Sequence, residues 1–247
     1  GDYPMFLPGG KEQIAGEYQP GWMLLSYGKK VSVSSSLEGY PAENIVDEDA
    51  RTAWVAQSNR DMEWAQVDLQ RLSSIHAIQV NFDEYGANQK GAVSGVYQSY
   101  LIYASVNGED WSLVVDYGTK KTDTPHDYIE FEEPFKARYI KLQNKEYMVS
   151  ENFSVRDLRI FGKGQGSTPR AVNDFTVERD EADPCKARLC WEAVPDAQGY
   201  IVRYGIAGDK LYNNFQVMGE NTLEIGSLNK GVAYYFTIDA YNENGIT

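Results

Sequence analysis

The run Asn44-Ile45-Val46-Asp47-Glu48-Asp49-Ala50-Arg51-Thr52-Ala53-Trp54 gathers amide, carboxylate, hydroxyl and backbone oxygens within one short turn, the donor set of a hard-cation loop. Calcium takes about six to eight oxygen ligands at about 2.3–2.6 Å, and a tight loop aims several of them at one point. The same residues also fit an Asx-type turn, in which a carboxylate accepts backbone N–H groups and holds no metal. Catalytic chemistry is harder to find. Two carboxylates working across a sugar must stand about 5–5.5 Å or 6.5–9.5 Å apart, and Glu38, Asp61, Asp83, Glu84 and Glu151 fall in expected loops with no pair that stands out. His76 and His126 share no zinc-ligand spacing with another His or Cys. Gly-rich phosphate loops and nucleophile elbows are missing from the sequence. No catalytic residues are assigned to this chain.

The elements that must position the loop read as strands. Eighteen Tyr, nine Phe and five Trp in 247 residues favour pleated surfaces, and the length accommodates two domains, each with its own core. Short alternating segments recur between Val31 and Gly162. Ile78, Val80 and Phe82 share one strand face, as do Tyr100, Ile102, Ala104 and Val106, and Asn107-Gly108 supplies a hairpin turn before Trp111. Trp54, Trp64 and Trp111 are expected in the core. Regularly spaced short strands imply a sandwich or barrel.

A formal charge of −13 argues against nucleic-acid and anionic-membrane partners, which call for a basic face. Neutral polymers and glycans stay compatible. No apolar run is long enough to span a bilayer, and no signal-peptide pattern opens the sequence, so a leader is expected to be cleaved or to lie upstream. Cys185 and Cys190 are too close in sequence for a disulfide on an extended segment unless a turn intervenes. Cys190 is expected as a small core residue beside Trp191.

Residues 1–21, eight of them Gly or Pro, read as a connector from an upstream domain. The segments Ser34-Ser35-Ser36, Trp64 to Leu69, Ser105 to Trp111 and Ala137 to Leu142, together with the Asn44–Trp54 loop, resemble the discoidin, or coagulation factor 5/8 C-type, domain and the related family 32 carbohydrate-binding modules. The resemblance implies a jelly-roll β-sandwich over residues 22–163. It also implies a structural calcium held by carbonyls at Asn44 and Asp49, the Asp47 carboxylate, the Thr52 carbonyl and hydroxyl, the Arg156 carbonyl and the Asp157 carboxylate. Glu48 stands where the family often has Gly, and Asp157 where it usually has Glu. In family 32 modules an aromatic just before the final strand often stacks on the sugar, a position that falls on Phe153. Plugging the end of the barrel, or packing against the neighbouring domain, is the other reading of that ring.

Sugars are commonly held by aromatic faces together with amides and guanidinium groups. On that ground Gln57, Asn59, Arg60, Tyr85 and Asn88, all in expected loops, are candidate contacts. No His occupies the polar site found in many galactose-binding members.

Gly162 to Pro169 reads as a flexible hinge, with the linker at residues 164–170. Beyond it, Phe175–Val177, Ala187–Trp191, Gly199–Tyr204 and Tyr234–Asn242 resemble strands of a fibronectin type III domain over residues 171–247. In that family a Trp on the second strand fills the core, and Leu228 and Tyr234 fit its tyrosine corner. The sequence stops at Thr247, where the last strand is expected to begin. Gly21 to Tyr27 resembles the seam after the catalytic propeller of some bacterial family 43 glycoside hydrolases. Together these resemblances imply a non-catalytic C-terminal accessory region of a glycoside hydrolase that is secreted, periplasmic or on the cell surface. Its implied partners are a glycan or polysaccharide and the upstream catalytic domain. A buttress that binds no sugar, or an adhesion module, are the alternatives.

Overall fold

The computed structural model describes residues 6–8, 20–87 and 95–247, and divides into two units, residues 1–165 and 166–247. The named strand pairings are all antiparallel, so the all-β expectation holds.

In the first unit the strands are β1 (Phe6–Pro8), β2 (Pro20–Leu24), β3 (Lys30–Val33), β4 (Trp54–Val55), β5 (Trp64–Phe82), β6 (Gln98–Ser105), β7 (Ser112–Tyr117), β8 (His126–Tyr147) and β9 (Ser154–Gly164). A 3₁₀ turn at Ala42–Val46 precedes the candidate cation loop. Of the expected connector, β1 and β2 pair with each other and β2 joins β9, while residues 1–5 and 9–19 lie outside the described residues.

The sandwich closes because β5 and β8, 19 and 22 residues long, run through both layers. They bend together where the register slips between Asp68 and Ser73, and Gln70 takes the left-handed φ of +66° at that corner. One continuous ladder can thus fold back on itself, as bulges allow. The core follows the alternation: Ala65, Val67, Ile78, Val80, Tyr100, Ile102, Ile140, Leu142, Leu158 and Ile160 are fully buried.

Three expectations fail, mainly through where strands end and which face a residue takes. Val106 is 57% exposed because β6 ends at Ser105. Trp64 alternates outward with Gln66 and Asp68 and is half-exposed, like Trp111; of the three tryptophans expected in this core only Trp54, with no exposed surface, lies there. Cys190 points away from the core between inward Leu189 and Trp191, and neither cysteine is bonded.

The second unit holds a three-stranded sheet of β10 (Phe175–Arg179), β11 (Ala187–Trp191) and β14 (Thr222–Ile225). Its other sheet orders β13 (Asn213–Met218), β12 (Gly199–Gly205), β15 (Tyr235–Asn242) and β16 (Gly245–Ile246). These pack as a second β-sandwich around Leu189, Trp191, Tyr200, Val202, Ile225, Leu228 and Ile238. The Tyr234 hydroxyl accepts a hydrogen bond from the Asn229 amide at 3.0 Å, locking the crossing before β15. The two ends of the expected hinge belong to different units. Gly162 and Gly164 pair within β9, and the Ser167 and Pro169 carbonyls accept hydrogen bonds from Asn242, Asn244 and Thr247.

Candidate functional site

The cation loop is built by a turn that its own side chains close. Asn44 donates to the Ala53 carbonyl at 2.8 Å, tying the two ends together. Asp47 accepts from the Asp49 amide through one oxygen and from the Thr52 hydroxyl through the other, both at 2.8 Å. This is the Asx-type turn. The Thr52 amide donates to the Asp49 carbonyl, and the Thr52 hydroxyl oxygen lies 2.9 Å from that same carbonyl. The Asp49 carboxylate turns outward to Arg51, which holds its pKa down at about 2. Glu48 sits at φ +58°, a conformation glycine adopts most readily, which accounts for the family's preference at this position.

Across from this turn stands β9. Asn81 pairs with Asp157 and Phe82 with Val155, so Arg156 is the unmatched residue of a bulge and its peptide group is left outside the β5 ladder. Asp157 is 1% exposed and accepts from Asn81 at 2.9 Å. Burial raises the pKa of Asp157 and of Glu48, and repulsion from Asp47 pushes each further up. Arg159 binds one Glu48 oxygen at 3.0 Å, but the other, Oε2, is buried with no hydrogen-bond partner. Among the described residues no three His, Cys, Asp or Glu side chains form a metal cluster. The expected donor set does not need one, since it draws mainly on carbonyls. An orphaned buried carboxylate oxygen, two carboxyls whose charge burial disfavours and a peptide at Arg156 outside the β5 ladder fit a hard oxygen-seeking cation.

At the loop end of the sandwich the structure brings together most of the residues expected to contact a sugar. Asn59 donates to the carbonyls of Ser150 and Tyr147, and Asn152 donates to that of Ala56. The turn at residues 57–63 is thereby fastened to the one at 148–152. Gln57 bonds the Ser36 carbonyl, and the Ser36 hydroxyl bonds that of Tyr40, bringing in a third loop. Tyr40 meets Tyr85 edge to face at 4.9 Å, which adds the fourth. Gln57 and Arg60 are exposed, and Tyr40 and Tyr85 half-buried. Asn88 lies outside the described residues.

Phe153 does not fit the stacking role. It has no exposed surface and makes edge contacts with Trp54 at 5.7 Å and Tyr147 at 5.3 Å. The ring plugs the end of the core, and the accessible aromatic faces nearby belong to Tyr85 and Tyr40. Tyr40 was not singled out from the sequence, although its place in Glu38-Gly39-Tyr40-Pro41, an aromatic inside a Gly/Pro turn, marks an exposed loop ring. Nearby carboxylates are engaged: Asp61 by Lys145 at 2.6 Å, Asp83 by Arg156 at 2.5 Å, and Glu63 by the hydroxyls of Ser34, Ser35 and Ser58. The Asp83 carbonyl also accepts from the Tyr147 hydroxyl, so the loop leading to Tyr85 is held at both its side chain and its backbone.

The F5/8 type C domain model matches residues 30–157. Among curated proteins, lactadherin from Rattus norvegicus is 33% identical over 110 residues, which are 42% of this chain and 25% of that protein. Lactadherin from Mus musculus is 32% identical over 110 residues, 42% and 23% of the two lengths. The chain thus spans about a quarter of the length of the relatives it matches. Among solved structures, chitosan-binding module 1 of a chitosanase/glucanase from Paenibacillus sp. IK-5 is similar at TM-score 0.48 and 20% identity, covering 56% of this chain and 98% of that one. The family 32 CBM of C. perfringens NanJ, solved in complex with galactose, has TM-score 0.46 and 18% identity, covering 57% and 98%.

Proposed function

The chain belongs to the F5/8 type C domain family, and on that premise we propose that its first unit is a calcium-stabilised carbohydrate-binding domain whose site is the four-loop rim. The observation that carries this reading is the convergence of the loops bearing Tyr40, Tyr85 and Gln57, held by hydrogen bonds between loops, with Arg60 exposed on the same turn as Gln57. Tyr85 and Tyr40 would present apolar ring surface to pyranose C–H groups, while Gln57 and Arg60 would bond hydroxyls. A rim fixed in this way loses little freedom on binding.

Calcium would be held by the Asp47 and Asp157 carboxylates and by carbonyls at Asn44, Asp49, Thr52 and Arg156, with the Thr52 hydroxyl. Supplying positive charge to desolvated carboxylates, it stabilises the fold and does no chemistry on the ligand. The bulge residue Arg156 links the two sites, because its side chain bonds Asp83 two residues before Tyr85. Ordering the bulge therefore orders the rim.

The second sandwich is read as a fibronectin type III spacer, on the buried Trp191 and the Tyr234 hydroxyl bond. The whole chain is read as an accessory region of a glycoside hydrolase working outside the cytoplasm. It would keep a partner catalytic domain near its polysaccharide by raising effective concentration. A glycan array probed with the chain in calcium tests the reading. Binding that is lost in both Tyr85→Ala and Arg60→Ala supports it, and silence across plant and host glycans refutes it.

A further inference from the structure

The outer face of the sheet carries a cluster used by neither the rim nor the cation loop. Alternation turns Trp64 and Gln66 outward from β5 and Lys141 and Gln143 outward from β8, and the register sets Trp64 beside Gln143 and Gln66 beside Lys141. The Lys141 ammonium lies 3.9 Å from the ring centre of Trp111 and 5.5 Å from that of Trp64. Trp111 is braced edge-on by Tyr139 at 6.5 Å. The neighbouring carboxylate, Asp68, is fully engaged by Arg138 through two bonds of 2.8 and 2.9 Å.

Lys141 therefore has two indoles and no carboxylate partner among the described residues. This is unusual in a chain of net charge −13. Burial depresses its pKa, with no neighbouring anion to offset that penalty. A partly desolvated ammonium gains most from an incoming anion. The flanking amide of Gln66, and that of Gln143, whose nitrogen meets only the exposed Met62 sulfur at 3.3 Å, suit hydroxyl partners, which an apolar protein patch does not supply. Elsewhere the acidic surface repels a polyanion, so this face would fix where one lands.

We propose that this sheet face is a second polysaccharide-binding surface, distinct from the rim, that takes a carboxylate-bearing (uronate) chain with the sugar carboxylate on Lys141, which Trp111 holds in place, and a pyranose C–H face against Trp64. Gln66 and Gln143 bond the sugar hydroxyls. The contact is screened by salt, as an exposed ion pair must be. It does not depend on the rim reading.

Polygalacturonate and its methyl ester, in which the carboxylate is neutral, are the probes, titrated calorimetrically against the full chain. The chain is expected to bind polygalacturonate about tenfold more tightly than the ester. Lys141→Gln should lose about the same factor, Lys141→Arg should stay within about threefold of wild type, and added salt should weaken binding. Equal affinity for the two probes, no binding to either, or unchanged binding by a folded Lys141→Gln overturns the proposal. Loss in Arg60→Ala but not in Lys141→Gln overturns it too, assigning the uronate to the rim. If Lys141→Gln does not fold, the acid-against-ester comparison on the wild-type chain decides.

Discussion

Phe153 and Tyr85 stand in neighbouring loops and carry similar rings, yet removing each has a different consequence. Phe153 has no exposed surface, so Phe153→Ala is expected to cost about 3–5 kcal/mol of stability, as truncations of buried aromatics do. Urea unfolding reads this directly, and a loss of sugar binding in that variant would report unfolding. Tyr85→Ala removes a half-buried loop ring and leaves the core intact, which makes it the sounder probe of the rim. Glu63 adds a pH signature. Burial pushes its pKa up, but the hydroxyls of Ser34, Ser58 and Ser35 outweigh that and hold it below 4.5. A carboxyl whose folded pKa lies below its unfolded one contributes stability that is complete above the unfolded value and is lost as pH falls through the folded one. Glu63→Gln is therefore expected to lower the melting temperature near neutral pH, with the gap to wild type closing as pH falls below the ordinary glutamate range. A gap that widens in acid would contradict this hydrogen-bonding account.

At the scale of elements, strand phase decides what a side chain does. Trp64-Ala65-Gln66-Val67-Asp68-Leu69 alternates cleanly, and its parity places Trp64 with Gln66 and Asp68 on the outer face. That placement is legible in the sequence, where parity along the strand outweighs the size and apolarity of an indole. Cys190 follows the same rule between Leu189 and Trp191. The bulge at Arg156 and the slip between Asp68 and Ser73 were not legible, because both arise from pairing between segments far apart in the chain. The four-loop rim shares that limit. Gln57, Asn59 and Arg60 could be chosen by side-chain type, but their hydrogen bonds reach residues up to 91 positions away. Close backbone approach gives this scale its own prediction. A Cβ at Gly162 would stand 1.9 Å from the Ser74 carbonyl oxygen, so Gly162→Ala must push β9 away from β5. The expected loss is about 1–3 kcal/mol or more, read as a lower denaturant midpoint with an unchanged slope.

For the whole molecule, charge and metal are linked. Many of the 36 Asp and Glu residues lie on the surface, but Asp157 and Glu48 are drawn into the first sandwich beside Asp47, and one carboxylate oxygen is left unpartnered. A cation bound only by the folded state adds stability that grows with its concentration, about 2.7 kcal/mol at one hundred times its dissociation constant. Calcium is therefore expected to raise the melting temperature of the wild-type chain and to leave Asp157→Asn unmoved. A chelator that fails to lower the wild-type melting temperature would remove calcium from the account. The Arg156–Asp83 pair carries the effect to the rim, so Arg156→Ala should weaken sugar binding although its own side chain makes no sugar contact.

Titration calorimetry with a glycan that scores on the array, run on the wild-type chain in calcium, in chelator, and on Tyr85→Ala in calcium, separates the part played by the rim from that of the ion. Measurable affinity is expected in calcium, with a loss of about tenfold in each of the other two conditions. Equal affinity in all three would show that neither the rim nor the ion takes part in binding.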